Sequence, residues 1–251
     1  MSMIRLGSLA VGALLAQALF AQQNPVQFIA AGSVIDQPGS YALSRNLNVS
    51  DGQTGVMITA SGVTLDLNGF EIGGIGRNTG TGIQIMNATG VRVHNGRLSR
   101  LGFGVTVMNS ASVTLRDLDI RGAGLLPPEV GVMIMQSSGV VVERNNFANV
   151  GLGIFVRGGM SHGNRIVDNN LVSLNRGPLA ICYNPTPTDT RSPSGDLISG
   201  NTIYGFNGGI QMAATSGVNM IRGNTIFYYS FATELNDSPS REMENSSAQI
   251  R

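Results

Sequence analysis

Residues 131–156 read GVMIMQSSGVVVERNNFANVGLGIFV, and three short patterns within this stretch recur in the same order along most of the chain. The first is Gly, an aliphatic, any residue, an aliphatic. It is Gly131-Val132-Met133-Ile134 here, and it returns at Gly55-Val56-Met57-Ile58, Gly82-Ile83-Gln84-Ile85, Gly104-Val105-Thr106-Val107, Gly153-Ile154-Phe155-Val156 and Gly209-Ile210-Gln211-Met212. A degraded copy lies at Leu179 to Cys182. The second is a short alternating strand: Val63/Leu65, Val91/Val93, Val113/Leu115, Val140/Val142, then Ile166, Ile198 and Ile221. The third is aliphatic-x-x-Asn-x-aliphatic, as in Val142 to Phe147, Ile166 to Leu171, Ile198 to Ile203 and Ile221 to Ile226. Earlier copies end in Ile72, Leu98 and Ile120 but lack the Asn.

The closing aliphatics stand at 72, 98, 120, 147, 171, 203 and 226, in steps of 26, 22, 27, 24, 32 and 23 residues. A period of roughly 20–50 residues marks a solenoid or an array. Three short strands of period two per repeat, broken by Gly and Asn, predict a coil with three flat faces. Like strands then stack in parallel, about 4.8 Å apart. Helical repeats would need long stretches of 3.6 periodicity, and none is present. A propeller blade needs four antiparallel strands over about 40 residues. The expected fold is therefore all-β: a single-stranded parallel β-helix of about seven three-strand coils.

The chain resembles the right-handed parallel β-helix proteins of the pectin-lyase-like superfamily over about residues 33–230. Pro38-Gly39-Ser40-Tyr41-Ala42-Leu43, Asn46-Leu47 and Gly62-Val63-Thr64-Leu65-Asp66-Leu67-Asn68-Gly69-Phe70 are similar to the opening coils of secreted bacterial members. The expected organisation is a signal peptide at 1–21, an N-terminal cap and first incomplete coil at 22–54, the β-helix at 55–230, and a cap remnant with a loose tail at 231–251. Met1 to Ala21 places Arg5 before an apolar run and ends in small residues, the pattern of a secretory leader cleaved after Ala18 or Ala21. The mature protein is then expected to be secreted or periplasmic. No later stretch reaches the ~18 apolar residues of a membrane span.

Composition narrows the function less than the fold. The 251 residues carry a formal net charge of +1, with 34 Gly, 22 Asn, 16 Arg and no Lys. Near-neutrality argues against a nucleic-acid partner. The single Cys excludes a disulfide framework and a four-cysteine zinc site. The recurring Gly reads as a turn requirement, and the Asn column as a bend whose amides bond from coil to coil. Most Met and Phe residues read as core. Phe227, Tyr228, Tyr229 and Phe231 read as a covering cap.

The charges, though few, gather when the coils are aligned. One outward column reads Asp66, His94, Arg116, Glu143, Val167, Ser199, Arg222. Its neighbour reads Leu67 or Asn68, Asn95, Asp117, Arg144, Asp168, Gly200, Gly223. A third reads Glu71, Arg97, Asp119, Asn146, Asn170, Thr202, Thr225. The functional reading is a polysaccharide site, acting as a lyase or glycoside hydrolase if it is an enzyme. Asp117 and Asp119, two apart on one strand, would lie about 6.6 Å apart, near the lower edge of the spacing in inverting glycosidases. Asp117, Asp119, Glu143 and His94 are the candidate catalytic groups. Arg97, Arg116 and Arg144 can clamp an acidic sugar. No cofactor is expected, apart from a possible Ca²⁺ on Asp117, Glu143 and Asp168.

The competing reading, which we favour over catalysis, is an ion-pair ladder of alternating charges across neighbouring strands. Polygalacturonase-like signatures do not rescue catalysis: Ser161-His162-Gly163 and Arg165-Ile166-Val167 match them poorly, and His162 reads as a turn residue. Loops 73–81 and 121–130 leave one corner and can wall a groove over Arg97 and Asp119; the insertion 184–195 leaves another. Partners are a polysaccharide or cell-surface glycan. The rivals are a non-catalytic structural or adhesive module and a periplasmic metal-handling accessory protein. The second is disfavoured by having only two His and one Cys.

Overall fold

A computed structural model of the chain describes residues 25–76, 79–123, 129–184, 193–213, 216–236 and 238–250. The leader at 1–21 lies outside the described residues, as do parts of the three long loops. The described residues form 24 strands and no helix, and all the strands belong to one continuous ladder. The pairing is parallel throughout, so the chain winds as a β-helix; the coil is right-handed, as crossovers between parallel strands are.

Three faces repeat. The first carries strands such as Thr81–Met86, Phe103–Met108 and Val130–Met135. The second carries Val63–Asp66, Val141–Glu143 and Arg165–Val167. The third carries Glu71–Ile75, Asn146–Ala148 and Asn170–Val172. Strands Arg92–Ser99 and Thr114–Arg121 run through the corner between the second and third faces.

Each face contributes an aliphatic column to the interior. The third-face column stacks Leu47, Ile72, Leu98, Ile120, Phe147, Leu171, Ile203 and Ile226 in consecutive register. That makes about eight turns, because Leu47 opens the column one rung before the seven expected copies. All of these side chains are at most 3% exposed. Each buried aliphatic stabilises the fold by roughly 1.5–3 kcal/mol relative to exposure. In a solenoid that gain is shared between neighbouring rungs only.

The Gly before each first-face strand has a cause different from the one expected. Gly55, Gly82, Gly104, Gly131, Gly153 and Gly209 are not among the residues with positive φ. A Cβ on Gly104 would stand 2.5 Å from the Gly131 carbonyl oxygen, and one on Gly131 2.6 Å from that of Gly153. The column is glycine because successive rungs approach here backbone to backbone.

The bends belong to another column. Asn68, Asn95, Asp117, Arg144, Asp168, Gly200, Gly223 and Glu244 all have φ between 52° and 67°. The Asn of the repeat motif is therefore not the left-handed residue but the one after it, turned inward. Asn145, Asn169, Asn201 and Asn224 are at most 2% exposed, and each backbone N–H donates to the next amide oxygen at 2.9–3.0 Å. In the earlier coils Leu118 and Gly96 occupy the slot.

A second inner ladder lies at the corner between the first and second faces. Asn164 N–H donates to Asp196 Oδ1 at 2.7 Å, and Asp196 N–H donates to Asn219 Oδ1 at 3.0 Å. The buried Tyr183 hydroxyl donates to Asp196 Oδ2 at 2.9 Å. Burial raises the Asp196 carboxyl from 3.8 to about 6, although three hydrogen bonds oppose it. The folded state thus holds a proton that the unfolded chain releases, so stability falls as pH rises from about 4 to 6 and then levels off. The change is at most about 3 kcal/mol. Urea unfolding at pH 4, 5, 6 and 7 checks this; in Asp196→Asn the slope over that window disappears.

Strands Arg241–Met243 and Ser246–Gln249 extend the ladder where a cap remnant and loose tail are expected from sequence. Their inward register positions hold Glu242 beneath Ile221 and Ser247 beneath Ile226. Polar residues at inward positions of an end strand discourage another strand from adding to the open edge.

Candidate functional site

The registers reproduce the charged columns of the second and third faces. Asp66, His94, Arg116, Glu143, Val167, Ser199 and Arg222 stack in consecutive pairs. So do Glu71, Arg97, Asp119, Asn146, Asn170, Thr202 and Thr225. The middle column is the left-handed corner, with Asn68 and not Leu67 as its first member. Because Asp117 has φ 53°, the chain turns between Asp117 and Asp119, and the separation expected for an extended strand does not apply.

The candidate catalytic carboxylates are paired with guanidinium groups. Arg144 donates from Nε and Nη2 to the two oxygens of Asp117 at 3.0 and 3.1 Å. Asp119 accepts from Arg97 Nε at 3.0 Å, from Arg121 Nε at 2.9 Å and from Asn146 Nδ2 at 3.0 Å. Glu143 lies 3.3 Å from Arg144 Nη1. Glu71 sits between Arg97 at 3.7 Å and Arg100 at 3.6 Å and accepts from Ser99. Arg116 approaches Asp117 at 3.8 Å, and His94 approaches Asp66 at 3.8 Å.

The electrostatics follow. The bond from Arg144 holds Asp117 below the usual carboxylate range. For Asp119 burial pushes upward, but hydrogen bonds from Arg121, Asn146 and Arg97 outweigh it and leave the carboxyl lowered. A glycosidase acid needs the reverse, a carboxyl held protonated near neutrality. The exposure of these groups to solvent keeps each pair weak. Arg97, Arg116 and Arg144, expected to clamp a sugar carboxylate, instead face the protein's own acids. Among the described residues no three His, Cys, Asp or Glu side chains gather to hold a metal ion. His162 stands at a turn, its Nδ1 2.9 Å from the Met160 carbonyl oxygen.

The charged columns are not the whole of this surface. Beyond Asp119 the third face becomes uncharged. Asn170 Nδ2 donates to Asn146 Oδ1 at 2.8 Å, Thr202 and Thr225 continue the column, and Ser246 Oγ donates to Thr225 Oγ1 at 3.3 Å. Beside these amides and hydroxyls runs Ala148, Val172, Tyr204, Phe227, Ala248. Tyr204 and Phe227 are 42% and 38% exposed, with ring centroids 6.0 Å apart. Arg176 stacks over Tyr229 at 4.0 Å. A shallow hollow lined by Thr225, Phe227, Ser246, Ser247 and Ala248 lies alongside. The signal was present: this column is the residue after the closing aliphatic of every copy.

A family model described as a right-handed β-helix region matches residues 34–190. Among solved structures, an alginate lyase from Paenibacillus sp. superposes with a TM-score of 0.66 at 14% identity, covering 94% of this chain and 92% of that one. DFA-IIIase from Arthrobacter chlorophenolicus superposes at 0.57 and 9% identity, covering 94% of this chain and 83% of that one. The Dettilon tailspike protein superposes at 0.59 and 14% identity; 89% of this chain spans 55% of the tailspike chain. At these identities the likeness is one of fold. No curated protein sequence matches the chain.

Proposed function

Because the chain belongs to the right-handed β-helix family, we propose that it is a carbohydrate-binding protein whose third face holds an extracellular polysaccharide along the helix axis. The observation that carries this reading is the pair of columns from Asn146 to Ser246 and from Ala148 to Ala248. One offers amides and hydroxyls to sugar hydroxyl groups. The other ends in two exposed rings on which the apolar face of a pyranose can lie. The structural neighbours whose names denote carbohydrate-acting enzymes support the class of ligand, as fold analogy only. Export through the leader at 1–21 would bring the protein to that ligand.

Binding without cleavage is the version the geometry favours, since Asp117 and Asp119 are held as carboxylates by arginine. Retardation in gels containing each of a set of polysaccharides tests the proposal. The wild type should be slowed by at least one of them, and Tyr204→Ala with Phe227→Ala should weaken that binding about tenfold or more. Neither reducing ends nor unsaturated products should form, in the wild type or in Asp119→Asn and Glu143→Gln. Product formation lost in those two variants would restore the catalytic reading. No retardation by any glycan would leave a structural or adhesive module, the reading the ion-pair ladder favours.

A further inference from the structure

Two kinds of arginine stand on the second and third faces. Arg97, Arg100, Arg116, Arg121 and Arg144, on the early coils, each have a carboxylate oxygen at 2.8–3.8 Å. Arg222 and Arg241, on the last two rungs of the second face, are exposed and make no ion pair among the described residues. The register sets Met220 beside Arg241 and Arg222 beside Met243, so the two arginines occupy diagonal outward positions. A strand spacing of ~4.8 Å and two residues of ~3.3 Å put their Cα atoms about 8 Å apart. Both line a cleft of about 350 Å³ together with Leu197, Val218, Met220 and Asp196. Val218 and Met220 are 56% and 38% exposed. Asp196 is buried, and its two oxygens are taken by Asn164 and the Tyr183 hydroxyl. Glu242, next to Arg241, accepts from Asn245. Like charges facing one cleft repel. The early coils answer such charges with the ion-pair ladder; here both guanidinium forks stay open.

We propose that this cleft binds the carboxylate of an acidic sugar. Arg222 and Arg241 grip the carboxylate, whose two oxygens match a guanidinium fork. Leu197, Val218 and Met220 lie against the C–H face of the ring. Two arginines beside three apolar side chains suit a ligand that is charged at one edge and apolar on one side; a bare inorganic anion would leave the apolar side chains uncovered. The volume is that of a small-ligand cleft, about 300 Å³ or more. The inference rests on reading the chain as a carbohydrate-binding protein and narrows the ligand to a polysaccharide bearing uronic acids. Arg222 is three residues before Thr225, around the corner made by Gly223. One glycan can therefore lie on the third face and reach across that corner with a carboxylate.

Calorimetric titration of the full mature chain with trisaccharides of galacturonate, mannuronate and glucuronate tests this. At least one should bind, and its methyl ester should bind at least tenfold more weakly. Arg222→Gln and Arg241→Gln should each weaken binding of the acid about tenfold, with an unchanged thermal midpoint, since neither side chain has a partner to lose. Arg92→Gln, at the opposite end of the outward column that holds Arg241, should leave binding within about twofold, which separates a site from overall charge. Trisaccharide binding reports the cleft, and polysaccharide retardation lost in Tyr204→Ala with Phe227→Ala reports the third face, so the two readings fail separately. The proposal is overturned when none of the three acids binds, or when the ester binds as well as the acid. A sulfated trisaccharide that binds more tightly than every uronate overturns it too, as does acid binding that survives both arginine substitutions.

Discussion

Asn201→Ala should lower stability by about 4 kcal/mol. Asn201 works in both directions along the helix axis. Its amide oxygen accepts from Asn169 N–H and from Asn169 Nδ2, both at 3.0 Å. Its amide nitrogen donates to the Ile166 carbonyl at 2.9 Å and to Asn224 Oδ1 at 3.0 Å. The side chain is fully buried. Truncation strands the Asn169 backbone N–H away from water, at about 1–3 kcal/mol, and takes from the Ile166 carbonyl and Asn224 Oδ1 their bonds to the amide nitrogen. A small cavity adds to the loss. At about 2–4 °C per kcal/mol for a domain this size, the thermal midpoint should fall by roughly 10 °C. Hydrogen exchange should localise the damage to the rungs around Asn169, Asn201 and Asn224, since each rung touches only its neighbours. Asn170→Ala, one residue along from Asn169 but on the outside, should cost no more than about 0.5 kcal/mol. Equal losses in Asn201→Ala and Asn170→Ala would mean that the inner ladder contributes nothing special.

Gly131→Ala should cost about 3 kcal/mol, and Gly131→Val more. An added Cβ would stand 2.6 Å from the Gly153 carbonyl oxygen and 2.6 Å from Phe147 Cδ1. The first of these is backbone held in a ladder and cannot swing aside as the end of a flexible side chain can. The strands must separate locally, which weakens two rungs at once. Chemical denaturation of the purified variant checks the magnitude. In the reciprocal experiment, Ala180→Gly should be mild: Ala180 already occupies this column, so the substitution removes one buried methyl, worth about 1 kcal/mol. If Gly131→Ala were neutral, the close approach of the rungs would not be what keeps this column glycine.

These two columns also mark the boundary of what pattern reading can reach. Parallel stacking brings equivalent residues of successive repeats into contact, so aligning the repeats is equivalent to reading the register. That is why aligning the repeats already puts Asp66, His94, Arg116 and Glu143 in one column, as the register does. Period-two alternation carries no mark for a left-handed residue, however, and the bend expected at Asn145 lies at Arg144. The same uncertainty placed Asp117 and Asp119 on one straight strand. Alternation also fails where both sides of a strand are apolar, as at Met133 and Phe155: nothing in a run of hydrophobic residues distinguishes the inward side from the outward one.

The repeat length, the three faces, the inward aliphatics and the charged columns therefore follow from the order of the residues, because a solenoid converts sequence period directly into spatial neighbours. Which charges neutralise which, where the chain bends, and why one column is nearly all glycine depend on side-chain directions and on distances between rungs. Those arise only when the coils are stacked.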